Sequence, residues 1–152
     1  MAINEMLSAS QEDYMESIFH IVGQKHAARV KDIAESLGVT PASVTGALGV
    51  LAKKGLVNYV PYGIVTLTSR GKKVSKGIVQ RHEILRDFFV KVLSIDREIA
   101  DRAACGMEHA LPHEILNRLT QFLKFTDRCA RCLEEFHRPQ SKTGSDKEVH
   151  VG

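Results

Sequence analysis

Val30-Lys-Asp-Ile-Ala-Glu-Ser-Leu37, followed by Gly38-Val-Thr40 and then Pro41-Ala-Ser-Val-Thr45, is the stretch that decides the fold. A short amphipathic segment closed by glycine gives way to a threonine suited to cap a new helix and a proline suited to its first position. Two helices joined by so tight a turn form a helix-turn-helix, whose second helix is the one laid in a DNA groove. Along that helix Val44, Ala47, Leu48 and Leu51 recur at the spacing of a buried stripe. Ala42, Ser43, Thr45 and Gly46 are left on the other side, where small side chains permit close approach to base edges.

Working upstream, Ser10 is a suitable N-cap for a helix in which Tyr14, Ile18, Ile21 and Val22 repeat at helical spacing until Gly23. Downstream of Gly55 the period changes. Leu56-Val-Asn-Tyr-Val60 and Ile64-Val-Thr-Leu67 read as strands around the turn Pro61-Tyr62-Gly63, a hairpin in the position of a wing. Thr68 then caps a long helix with the stripe Val74, Ile78, His82, Leu85 and Phe89. Further helices follow over 97–110 and from Pro112, the last with the stripe Ile115, Leu119, Phe122 and Leu123. Beyond Arg138 the periodicity stops, and a disordered tail over 138–152 is expected. The expected fold class is mostly α, with a winged helix-turn-helix domain over 1–71 and a helical domain over 72–137.

Lys plus Arg exceed Asp plus Glu only by 21 to 18 in the 152 residues, so overall charge says little about nucleic acid. The positive charge is local: Lys53, Lys54, Arg70, Lys72, Lys73 and Lys76 cluster. Lys53, Lys54 and the wing-tip Tyr62 are candidate phosphate contacts, although exposed charges are commonly just solvated. With Thr40, Pro41, Ala42, Ser43 and Thr45 they make up the candidate DNA-binding set. No apolar run is long enough for a bilayer and no export leader is read at the start, so a cytoplasmic location without a membrane partner is expected.

Cys105-Gly-Met-Glu108-His109 carries the second signal. Positions i, i+3 and i+4 of a helix share a face, so a thiol, a carboxylate and an imidazole would converge, and all three are ligands for divalent transition metals. Asp13 and Glu16 near the N-terminus offer two more carboxylates, although acids in a first helical turn are also favoured by the helix dipole. His82 lies on an apolar stripe, where a hydrogen-bonded core histidine is the competing explanation.

Taken in order, Glu12-Asp-Tyr-Met-Glu16, Val30-Lys-Asp-Ile-Ala34, Pro41-Ala-Ser-Val-Thr45, Lys54-Gly-Leu-Val57, Leu67-Thr-Ser-Arg-Gly71, Arg81-His-Glu-Ile-Leu85 and Glu108-His-Ala-Leu111 resemble the diphtheria-toxin-repressor family of metal-dependent transcriptional regulators. The resemblance is closer to its short manganese-transport-repressor branch, without the SH3-like third domain, and runs from about Ser10 to Phe125. It implies a homodimer that binds a palindromic double-stranded operator with a divalent metal as corepressor, as part of metal homeostasis. It also implies that Asp13, Glu16, His82, Cys105, Glu108 and His109 are the metal ligands. Cys105 stands where manganese-type members carry glutamate, and Asp13 where iron-type members carry methionine. The set is a hybrid: Fe(II) or Mn(II) lead, with Zn(II), Co(II) or Ni(II) open. Glu83 and Asp101 are candidates for a second ion, opposed by Arg86 at a position often acidic in relatives.

Cys129 and Cys132 form a separate candidate thiol site. An odd number of cysteines without an export signal argues against a disulfide framework and for metal or redox chemistry, with His137 or His113 available to complete a site. Two rival functions follow: a thiol-based redox regulator, and a metallohydrolase. The latter has no HExxH run and no nucleophile elbow behind it.

Overall fold

The structure, a computed structural model, describes residues 7–138. Its helices are α1 (Ala9–Lys25), α2 (Val30–Leu37), α3 (Pro41–Lys53), α4 (Ser69–Asp87), α5 (Arg97–Met107), α6 (His113–Arg128) and α7 (Ala130–His137), with strands β1 (Val57–Asn58) and β2 (Thr66–Leu67) between α3 and α4. The expected tail beyond Arg138 lies outside the described residues. No described helix is long and apolar enough to cross a membrane.

Ser8, not Ser10, caps α1. Its hydroxyl accepts from the Gln11 amide at 3.2 Å while the Gln11 side chain accepts from the Ser8 amide at 3.3 Å, so two orphan N–H groups are satisfied reciprocally. The helix passes through Gly23, whose cost of about 1 kcal/mol is small beside continued pairing. It ends where His26 turns left-handed at φ 66°. The helix-turn-helix forms as its sequence implies: Gly38 closes α2 at φ 64°, and the Thr40 hydroxyl accepts from the Ser43 amide at the start of α3. Val44, Leu48 and Leu51 are fully buried with Met15, Ile18, Ile33, Val65 and Ile78 in the first core.

The wing is shorter than its β-rich runs. Only Val57 with Leu67 and Asn58 with Thr66 pair. Pro61 lacks an amide donor, and Tyr62, at φ 64°, is fully exposed at the tip. An isolated bridge between Ala28 and Val65 ties this hairpin to the connection between α1 and α2. The sequence carried no period that announced it.

Thr68 caps α4 as expected, accepting from the Gly71 amide at 2.9 Å and donating to the Gly55 carbonyl at 2.8 Å. The expected domain division after Gly71 falls in the first turn of this helix, which packs against α1 on one side and α5 and α6 on the other. Gly71 is needed there because a Cβ would overlap the Leu56 carbonyl oxygen, a backbone atom that cannot move aside. Gly71→Ala should lower stability by about 1–3 kcal/mol, measured by urea denaturation.

After Asp87 the helix widens into a π turn over Phe88–Val92. The second core holds few fully buried groups: Leu85, Ala104 and Leu116, with Ile84, Phe89, Leu111 and Leu119 packed on them. The expected stripe of α6 is rotated: Leu116 and Leu123 are buried, whereas Ile115 and Phe122 are 45% and 42% exposed. Pro112 is the residue before α6 rather than its first. Leu93, Ile95, Ile99, Met107 and Phe125 are exposed as well, so the second half leaves several large apolar side chains uncovered within one chain.

Candidate metal centre and nucleic-acid interface

Burial of Tyr14, Met15 and Ile18 in the first core sets the rotation of α1, so that Glu12, Asp13 and Glu16 look toward α4 and the end of α5. From α4, His82 reaches the same space. Glu108 caps the C-terminus of α5 and is wholly buried, and His109 follows in the turn beyond it. Two groups of donor atoms result, Asp13 with Glu108 and His109, and Glu16 with His82 and Glu108. Within each, the ligand atoms lie within 4.8 Å of one another, and Glu108 belongs to both. His82 Nδ1 is 2.7 Å from Glu108 Oε2, while His109 Nε2 is 2.9 Å from Asp13 Oδ1 and 3.5 Å from Glu108 Oε1.

Glu108 Oε1 is buried without a hydrogen-bond partner. An orphaned carboxylate oxygen in the interior costs about 1–3 kcal/mol or more, and a cation among these donors would satisfy it. The donor set, carboxylates and imidazoles drawn from three elements, fits a divalent transition metal.

The titration of these groups reflects their crowding. His82 is pushed up to about 9, chiefly by its hydrogen bond to Glu108 and, against the effect of burial, by the further bond to Asp101. For His109 burial pulls downward, but the Glu12 hydrogen bond and the charges of Glu108 and Asp13 prevail and raise it. Burial, then the Glu108 charge, raises Glu16.

Sequence spacing placed Cys105, Glu108 and His109 on one helical face. Helix α5 ends at Met107 with Glu108 as its cap, still in helical conformation one turn after Cys105, and His109 lies in the following turn. Cys105 is exposed and lies in neither donor group. It is still a neighbour of the centre: its thiol is raised first by burial and then by the charges of Glu108, Asp13 and Glu16.

Neither Glu83 nor Asp101, the candidates for a second ion, joins a donor group among the described residues. Asp101 accepts from His82 Nε2 at 3.2 Å and lies 3.8 Å from the Arg86 guanidinium, which supplies the positive charge there. Glu83, next to His82 on α4, is exposed. The functional neighbour that sequence reasoning missed is Glu12, whose carboxylate accepts from His109 Nδ1 at 2.6 Å and from Arg81 at 2.7 Å. The available signal was its place four residues before Glu16, on the same helical face.

Cys129 and Cys132 are joined in a disulfide, against the expectation of free thiols or a metal pair. Cys129 stands between α6 and α7 and Cys132 one turn later, which brings their Cα atoms to 5.5 Å, within bridging range. His137 does not complete a site with them; its Nε2 lies 2.7 Å from the Val92 carbonyl and 2.9 Å from Ser94 Oγ.

Thr40, Pro41, Ala42, Ser43 and Thr45 are exposed along the start of α3. A cleft between this edge and the wing is lined by Arg29, Lys31, Pro41, Thr45, Tyr59 and Tyr62. Lys53 and Lys54 sit at the far end of α3, about 18 Å away at 1.5 Å per residue, and Lys54 is half-buried. Arg29 and Lys31 are therefore the basic groups beside the small-residue face.

Residues 6–65 match the family described as Iron dependent repressor, N-terminal DNA binding domain, and residues 68–137 match Iron dependent repressor, metal binding and dimerisation domain. The chain is 35% identical over 143 residues to the HTH-type transcriptional regulator MntR of Bacillus velezensis, covering 94% of its own length and 100% of that protein. MntR of Bacillus subtilis is 35% identical over 138 residues, covering 91% of this chain and 96% of the relative. Among solved structures, T. acidophilum IdeR aligns with a TM-score of 0.70 at 26% identity, over 78% of this chain and 56% of that one. A manganese-dependent transcriptional repressor in complex with manganese aligns with a TM-score of 0.69 at 29% identity, over 76% and 53%. The chain thus spans about half the length of these two solved proteins. The named relatives are regulators and not enzymes, which sets the metallohydrolase aside. The chain belongs to the iron-dependent repressor family, as a metal-dependent transcriptional regulator with a DNA-binding half followed by a metal-binding and dimerisation half.

Proposed function

We propose that this protein represses transcription in the cytoplasm by binding a palindromic operator as a homodimer, with Mn(II) or Fe(II) as corepressor, and so takes part in metal homeostasis. The observation that carries the reading is Glu108. Its buried carboxylate stands between two imidazoles, with one oxygen unpartnered, facing the acids of α1. Asp13, Glu16, His82, Glu108 and His109 would hold the ion, with Cys105 as a further donor from the rim. A bound divalent ion would supply a positive centre among these carboxylates in place of the proton held by His82.

The ligands come from both halves of the chain. Asp13 and Glu16 sit on α1, within the first core, whereas His82, Glu108 and His109 belong to the helices around the second. Holding them together fixes α1, and with it α3, relative to the dimerisation half. A ligand that favours this clamped arrangement shifts the population toward it, as any switch requires. Exposed Ile115 and Phe122, which line one apolar groove with Phe88 and Leu119, support the dimer, in which two α3 helices would meet successive major grooves. An operator-binding titration by fluorescence anisotropy, run in parallel with Mn(II), Fe(II) and Zn(II) under anaerobic reducing conditions, tests this reading. Operator binding should require an ion and be reversed by a chelator; equal affinity with and without metal would contradict it.

Two further expectations concern individual residues. We place Arg29 and Lys31 on phosphates, together with Tyr62, so Lys31→Ala should weaken binding to every sequence and reduce the salt slope by about one unit. Lys53→Ala, at the far end of α3, is the comparison, and the residue whose slope does not change is removed from the interface. For Cys105, thiolate ligation should give the Co(II) protein an intense near-ultraviolet charge-transfer band that Cys105→Ala lacks. Cys105→Glu should move preference toward Mn(II), an ion suited to oxygen donors. A wild-type Co(II) spectrum without the band excludes the thiol from the ligand set.

The disulfide favours a second reading, in which Cys129 and Cys132 make operator binding sensitive to redox state. Loss of binding only on oxidation, at constant metal, supports it; an unchanged response leaves the metal as the sole effector.

A further inference from the structure

Both histidines of the centre turn one ring nitrogen to the donor groups and the other to a carboxylate that lies beside an arginine. His109 presents Nε2 to Asp13 and Glu108, while its Nδ1 donates to Glu12 Oε2 at 2.6 Å. The other Glu12 oxygen accepts from Arg81 Nη2 at 2.7 Å. His82 does the reverse: Nδ1 faces Glu108 and Nε2 meets Asp101 Oδ1 at 3.2 Å, with Arg86 Nη1 at 3.8 Å from the same oxygen.

We infer that Glu12 and Asp101 are positioning residues of the metal centre, forming with Arg81 and Arg86 two arginine–carboxylate–histidine relays that fix which nitrogen of each ring is available as a ligand. The inference rests on the metal-centre reading above. A neutral imidazole carries its proton on one nitrogen only, so a carboxylate that holds an N–H on one side leaves the lone pair on the other. It also fixes the ring plane and raises the basicity of the donor nitrogen. Glu12 is not itself a free ligand, because each of its oxygens already has a partner. Asp101 meets the ring of His82 through Oδ1, the same oxygen that lies beside Arg86.

Geometry ranks the two relays. The Glu12 carboxylate is 15% exposed with contacts of 2.6 and 2.7 Å, whereas Asp101 is 42% exposed with contacts of 3.2 and 3.8 Å. A wet, longer contact is weaker, so the Glu12 relay should dominate. It also joins three elements, α1 through Glu12, α4 through Arg81 and the turn after α5 through His109.

The test uses the full chain with ¹⁵N-labelled histidine, free of metal and loaded with diamagnetic Zn(II). In the loaded wild type, His109 should keep a hydrogen-bonded, slowly exchanging Nδ1 proton and coordinate through Nε2, with the opposite assignment for His82. Glu12→Gln should speed exchange of the His109 proton and weaken Zn(II) binding by about 10–100-fold. Arg81→Gln should act in the same direction, and Asp101→Asn should produce a smaller loss confined to the His82 signals. Unchanged affinity and unchanged ring signals in Glu12→Gln, or a melting-temperature change alone, would overturn the inference by reducing Glu12 to an ion-pair partner of Arg81. If the wild type takes up no ion, the metal-centre reading fails separately. The relays are then judged in the metal-free chain, where Glu12→Gln must move the His109 Nδ1 resonance. Should Glu12→Gln not fold, Arg81→Gln and Asp101→Asn decide.

Discussion

Glu108→Gln should abolish metal-stimulated operator binding while leaving a folded, dimeric protein. The substitution keeps the volume of a wholly buried side chain and removes the charge that belongs to both donor groups. Removing an orienting neighbour of a metal typically costs 10–100-fold in affinity, so loss of a ligand at the centre of the set should exceed about 100-fold. Circular dichroism and the metal-free melting temperature separate this from unfolding. His82 loses the contact that does most to raise it, so its titration should fall from about 9 toward the ordinary imidazole range, readable by NMR. A wild-type metal response in Glu108→Gln would remove Glu108 from the centre.

The second large effect is on pH. In the metal-free chain His82 is pushed up to about 9, so near neutrality its ring holds a proton that an incoming ion must displace, and His109 is shifted in the same direction. Metal affinity should therefore rise with pH, by about tenfold per unit for each proton released. The rise should flatten as pH passes 9 for His82. The metal-free fold should show the opposite trend. Because the folded-state value of His82 lies above its unfolded value of 6.5, its contribution to stability is complete below 6.5 and is lost as pH rises through about 9. Calorimetric titration in buffers of different ionisation enthalpy counts the released protons, and an affinity flat from pH 6.5 to 8.5 would contradict the assignment.

How much of this was legible in the sequence depended on the range of the interactions involved. The helix-turn-helix was readable because its signals are local: Gly38 closes one helix, and Thr40 with Pro41 opens the next. The Glu108 and His109 candidates were recognised from helical spacing; Glu108 keeps helical conformation as the cap of α5, one turn after Cys105, and His109 follows in the turn beyond it. Glu12 appeared in the sequence only as part of the Glu12–Glu16 motif and carried no role of its own. Its partners, Arg81 and His109, come from α4 and from the turn after α5, which only tertiary packing reveals. The same holds for the Ala28–Val65 bridge. On α6, Ile115 and Phe122 read as core by hydropathy alone, whereas the helix buries Leu116 and Leu123 and leaves the other two outward. Hydropathy does not distinguish a core from a face kept for a second copy.

The central claim is that one centre joins α1 to the end of α5. Crystals of the full chain grown with Mn(II), measured on both sides of the manganese absorption edge, test it most directly. The account predicts anomalous density beside the Glu108 carboxylate, between Asp13 and Glu16 on one side and His82 and His109 on the other. Density found only away from Glu108, or none in crystals from protein that binds Mn(II) in solution, would contradict it.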